Sequence, residues 1–140
     1  MAFEYVSGVR NLVLIPLDKD SADTVRGLAV TESGATSGYV KEVDNTAEAV
    51  IGICFSEVVV TGAADGDHSV VVDISSDSIY RVGPDSGSVT QAMANKSMDV
   101  GANGLTADIN GSTTDDLFVA RVDVTNNKLY VQLKRTLAGV

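Results

Sequence analysis

Reactive side chains are nearly missing from this chain of 140 residues, which holds one histidine, His68, one cysteine, Cys54, and no tryptophan. A lone Cys54 cannot form an internal disulfide, and its neighbours Ile53 and Phe55 mark it as a small buried hydrophobe. A nucleophile–histidine–acid triad needs a base oriented by a carboxylate. Only His68 is available, and Asp65-Gly-Asp-His68 reads as a loop tip. Zinc wants three or four Cys, His or carboxylate ligands, which the Cys and His counts make a poor prospect. Gly101-Ala-Asn-Gly104 is too short to cradle a phosphate, and no lysine follows it. These absences argue against an enzyme and give no reason to expect a cofactor or a metal.

Positive charge is also scarce. Ten Lys and Arg face nineteen Asp and Glu, a net charge of −9, and none of the ten falls between Lys41 and Arg81. Phosphate contacts need clustered basic residues, so nucleic acid is not an expected partner. No run approaches the ~18 apolar residues needed to span a bilayer. The opening residues lack a basic region ahead of an apolar stretch, so no signal peptide is expected and cytosolic synthesis is the default.

What is present is short, valine-rich apolar runs cut by Gly, Asp, Ser and Asn. Valine is stiff at its first side-chain torsion and suits a pleated surface. Residues 1–10 show no period and read as an N-terminal arm, with 11–140 as a single β domain. Asn11–Leu17 is a short run whose Pro16 belongs at a sheet edge or bulge. Val25–Thr31 and Tyr39–Val43 should pair across a Gly/Ser/Thr loop. Ala49–Val60 is the strongest apolar stretch and too long for one strand, so Gly52 or Ser56 should mark a bend or bulge. Ser69–Ile74 and Ser78–Val82 follow. Ser88-Val-Thr-Gln91 has capping-box spacing and leads into Ala92-Met93-Ala94, one or two helical turns at most. Lys96–Asp116 reads as a long loop pinned at a few apolar points, with a short strand framed by it as the alternative.

The end of the chain alternates most clearly. Phe118, Ala120 and Val122 on one strand, and Leu129, Val131 and Leu133 on the next, form the apolar face of a hairpin turning at Thr125-Asn126-Asn127. With Ile51, Ile53, Phe55, Val70 and Val72 they make the expected core. The fold class expected is all-β, a small barrel or sandwich with at most one short helix. On this phase Leu117 and Val119 fall on the polar face, where they become candidates for self-association. One oxygen-rich loop, Asp108-Ile-Asn-Gly-Ser-Thr-Thr-Asp115-Asp116, invites comparison with a calcium loop. Its Gly111 is misplaced and no Glu closes it, so a polar turn is favoured, with calcium as the alternative.

The segment Val25-Arg-Gly-Leu-Ala-Val30, then Gly38-Tyr-Val40, then Ala49-Val-Ile-Gly-Ile53 resembles the small head decoration (cement) proteins of tailed bacteriophages. The Asn/Gly/Ser/Thr-rich stretch Asn103–Thr114 is similar in character to phage structural proteins. That resemblance implies a β-barrel or β-tulip domain on the capsid exterior, synthesised in the host cytoplasm and bound to the major capsid protein. It also implies a homotrimer and a terminal arm that adds a strand to the shell. Phe3, Tyr5 and Val6 are the candidate docking residues of that arm. The competing expectation is a ligand- or glycan-binding β-sandwich module of a viral fibre or surface structure.

Overall fold

The architecture follows from why Ala49–Val60 does not alternate. The computed structural model describes residues 2–33, 38–46, 48–61 and 64–134. In it this stretch contributes one strand, β5 (Val50–Cys54). A strand with one wet face alternates apolar and polar residues, whereas a strand covered on both faces does not. Cys54 faces a core formed with Leu17, Leu28, Val30, Val40, Val70 and Val72, while its neighbour Ile53 faces a second core on the opposite side. The same split divides Ala29 from Val30 on the adjacent strand.

β5 lies in a five-stranded antiparallel sheet of spatial order β2 (Leu12–Pro16), β6 (Ser69–Asp73), β5, β3 (Ala29–Glu32) and β4 (Val40–Glu42). Pro16 closes an edge strand, where its missing donor costs no ladder bond. A parallel bridge between Leu17 and Val40 draws the two outer strands together at one end, so the sheet curls without closing. The expected bulge in β5 is found at Ile51, where the pairing with β3 slips between Gly52 and Val50. Gly52 lies against β6 so closely that a side chain would strike the Asp73 carbonyl.

The second sheet has six strands in the order β1 (Glu4–Ser7), β7 (Ile79–Val82), β11 (Lys128–Leu133), β10 (Leu117–Asp123), β8 (Ser97–Val100) and β9 (Ala107–Asp108). Its inner residues, among them Tyr80, Val82, Met98, Val100, Leu117, Val119, Leu129 and Val131, pack against Ala29, Val43 and Ile53 of the first sheet. The molecule is therefore an all-β sandwich. A three-residue 3₁₀ turn, Gln91–Met93, is its only helical element among the described residues. Thr90 precedes that turn and makes no side-chain cap, so the expected capping box from Ser88 does not form. No helix among the described residues is long and apolar enough to cross a membrane. The loops at 34–37 and 62–63, parts of two expected turns, lie outside the described residues, as does Met1 of the arm.

Two expectations are corrected. Residues 1–10 are not a separate arm: β1 pairs antiparallel with β7, and Phe3 is buried in the core. A register slip between Tyr5 and Ser7 erases the alternation that would have revealed the strand. The inward face of β10 is also reversed at its start. Leu117 and Val119 are fully buried, while Phe118 and Ala120 are only partly so. Pairing with β11 slips between Val119 and Arg121, which adds Ala120 as an extra residue and shifts the phase. Val122 beyond the slip does pack against the core, so extending its phase backwards picks the wrong face.

Leu117→Ala should therefore destabilise the domain by about 2–5 kcal/mol, the range for truncating a buried Leu, and Phe118→Ala by clearly less. Urea unfolding of both variants checks the ranking, and a larger loss at Phe118 would contradict the observed phase.

Candidate docking seam and its arginine cleft

β1 and β2 are consecutive in the chain, yet each is the outermost strand of a different sheet. Only residues 8–11 join them, so the two free edges run along the same side of the sandwich. Gly8 makes the crossing in a left-handed conformation (φ 101°), pressed so close to the Asp77 carbonyl that a side chain would collide with it. Among the described residues, eight large hydrophobic side chains are exposed, and five of them, Tyr5, Val6, Val9, Leu12 and Leu14, belong to this seam. Val9 and Leu14 are 74% and 69% exposed. Unpaired edges with apolar side chains are templates for another polypeptide, which proteins usually guard with charge or cover.

The seam is held from below by Asp73, at the end of β6 and 1% exposed. One carboxylate oxygen accepts the backbone N–H groups of Asn11 and Ser75, each at 3.0 Å. The other accepts the Tyr80 hydroxyl at 2.5 Å. Burial pushes the Asp73 carboxyl up, but hydrogen bonds from Tyr80, Ser78, Asn11 and Ser75 outweigh it and hold the pKa below the ordinary value. Burial first, and then the adjacent carboxylate, raises the Tyr80 phenol well above its usual range. Tyr80 in turn meets Phe3 and Tyr5 edge-on, with ring centroids 6.4 and 6.0 Å away. The asparagine of the crossing and the aromatics of β1 thus converge on one acid.

Above Tyr80 opens a cleft of about 310 Å³ lined by Tyr5, Arg10, Arg26, Cys54, Phe55 and Glu4 among others. The Arg10 guanidinium lies 3.5 Å from the Tyr5 ring centroid and 5.1 Å from that of Phe55. Arg26 approaches the same Phe55 ring at 5.0 Å. Arg26 is positioned by its neighbour Gly27, whose N–H donates to the Cys54 carbonyl and whose own carbonyl accepts from Phe3. The Cys54 thiol is pushed up to about 12 by burial, so it remains protonated and unreactive near neutral pH.

No family model, curated protein or solved structure matches the chain.

The residues singled out from sequence are distributed unevenly over this site. Tyr5 and Val6 stand on the seam, partly exposed, whereas Phe3 points into the core and cannot reach a partner. Leu117 and Val119 are corrected as self-association residues, because both are fully buried inside the domain and line no surface. His68 uses its ring Nε2 to accept the Thr61 N–H at 3.2 Å, a local loop contact. The oxygen-rich loop is organised by Asp99, which lies outside that loop and in no recognisable motif. Its buried carboxylate accepts the backbone N–H groups of Thr113, Thr114 and Asp115 at 2.8–2.9 Å. Among the described residues no three His, Cys, Asp or Glu converge as metal ligands. Arg10, Arg26 and Asp73 belong to no short sequence motif either. Asp73 did leave a trace: an acid at the end of Val70-Val-Val-Asp73, inside an apolar strand, must find donors or neutralise.

These carboxylates set the acid response. Asp73 and Asp99 have folded pKa values below the ordinary 3.8. Their contribution to stability is complete above 3.8 and is lost as pH falls through the folded values. Asp116 runs the other way, because burial raises its pKa beyond what its bonds to Thr114 and Val50 offset. Its contribution is present below 3.8 and lost as pH rises through the folded value. Asp73→Asn should cost about 1–3 kcal/mol near neutral pH and flatten the loss of stability below about pH 4. Urea unfolding of wild type and variant at neutral and acid pH measures both effects. An acid limb of unchanged steepness would show that Asp73 does not carry it.

Proposed function

We propose that this chain is a structural protein that decorates the exterior of a tailed-phage capsid, docking on the major capsid protein through the β1–β2 seam. The observation that carries the reading is the concentration of exposed apolar side chains on two free sheet edges that lie side by side. Such a surface suits strand addition, in which backbone hydrogen bonds supply affinity and alternate side chains supply specificity. The similarity of Val25–Ile53 to head decoration proteins points the same way. The reading assigns no catalytic residue and no cofactor, and a net charge of −9 disfavours nucleic acid as the partner.

In this reading docking starts from a strand that is already in place. The resemblance implies a loose arm that orders on the shell, whereas β1 is already paired and Phe3 is already buried. Little ordering entropy is then lost on docking, which favours affinity. Trimerisation remains part of the proposal on the strength of the resemblance alone, since Leu117 and Val119 do not supply its surface. Mass action explains the benefit: a protein that binds only the assembled shell stabilises it, and weak contacts repeated around a lattice add through avidity. A ligand-binding module is the second reading, favoured by the arginine cleft. A glycan array separates the two.

Val9→Glu combined with Leu14→Glu should leave the melting temperature of the free protein nearly unchanged, because both side chains are exposed. The same pair should reduce occupancy on purified expanded heads about tenfold or more, as measured by electron microscopy. Undiminished occupancy would place docking elsewhere. Phe3→Ala should instead cost about 3–5 kcal/mol of stability in the free domain, detectable by thermal unfolding.

A further inference from the structure

We propose that the cleft between β1 and Arg26 is a carboxylate-binding site, with Arg10 and Arg26 as its two cationic arms and an aromatic floor for an apolar ligand body. In a chain with only ten basic residues, two lie against the same ring, Phe55, and neither is hydrogen-bonded or ion-paired to a described residue. The Arg10 Nε is buried without a hydrogen-bond partner. A buried donor left unmade is costly.

Ring stacking prepares the guanidinium for this role. Arg10 lies 3.5 Å over Tyr5, so one flat face is occupied by the ring and the N–H groups point outward in the guanidinium plane. That plane is where a carboxylate accepts two parallel hydrogen bonds. Tyr5, Phe55 and Tyr80 form apolar walls around a volume of about 310 Å³, room for a ring or a short side chain attached to the acid.

Charge selects the acid. Glu4 lines the same cleft without pairing to either arginine, and the whole chain carries −9. Both penalise a dianion or a polyanion more than a single carboxylate. The ligand class is therefore a monocarboxylate with an apolar body, supplied by a small free acid or by the C-terminus of a polypeptide. This site makes no demand on the shell-docking reading and stands apart from it.

The test titrates the full-length protein, by NMR of its aromatic and arginine side-chain signals, with four probes. Benzoate represents a small acid, N-acetyl-phenylalanine a polypeptide C-terminus, benzamide the uncharged control and inorganic phosphate the dianion. Saturable shifts at Tyr5, Phe55 and Arg10 with either carboxylate, and binding of benzamide weaker by about tenfold or more, are expected. The tighter carboxylate identifies the source. Arg26→Gln should weaken benzoate about tenfold while its melting temperature stays that of wild type, since Arg26 is exposed; Arg26→Lys, which keeps charge but loses the fork, should fall between. Equal binding of benzamide, tighter binding of phosphate, or wild-type benzoate affinity in both Arg26 variants would overturn the proposal.

Discussion

A single buried carboxylate fixes the relation between the outer strands of the two sheets. Asp73 ends β6 in one sheet, receives Asn11 from the crossing between β1 and β2, and receives Tyr80 from β7 in the other. A charge so deeply placed persists only when several donors surround it. Ser75 and Tyr80 lie near Asp73 in sequence, but Asn11 reaches it from 62 positions away, so satisfying the acid in full and assembling the corner are the same event. The aromatic cluster of Phe3, Tyr5 and Tyr80, the cleft above it and the paired free edges beside it all take their positions from that corner.

The fold class was legible because its signals are local. Valine-rich runs separated by Gly, Asn and Asp announce strands, and Leu129, Val131 and Leu133 keep strict alternation along an unbroken strand. Pro16 announces an edge by the same logic, and Gly52 marks the bulge only to within one residue, since the extra residue is Ile51. Legibility failed where the backbone adds a residue. At Ala120 and between Tyr5 and Ser7 a slip in register converts an inward position into an outward one, and periodicity carries no mark of it. The seam was half visible, since Tyr5 and Val6 drew notice as apolar residues without a period. The cleft was not visible at all. Arg10, Arg26 and Phe55 are brought together by sheet pairing between distant segments, which a single sequence does not encode in any short motif.

Acidity and exposed edges serve complementary ends. Two bare strand edges with Leu12, Leu14 and Val9 exposed would ordinarily invite copies of the same chain to pair. A charge of −9 on each copy opposes that encounter over about the Debye length, roughly 8 Å at physiological ionic strength. A neutral or basic partner meets no such barrier. The composition thus discourages self-pairing while leaving the apolar seam open to something else.

The crossing from β1 to β2 also constrains the order of events during synthesis. These strands are made before the partners that complete them, β7 and β6, which follow much later in the chain; the bond from Asn11 to Asp73 spans 62 positions. Contacts of such separation form slowly, because a long loop must close before they are rewarded. The seam is therefore among the last surfaces to exist, and a truncated or half-folded chain carries its apolar residues without the sheet that presents them. Competence to engage a partner and completion of the fold become one checkpoint, enforced by chain order alone.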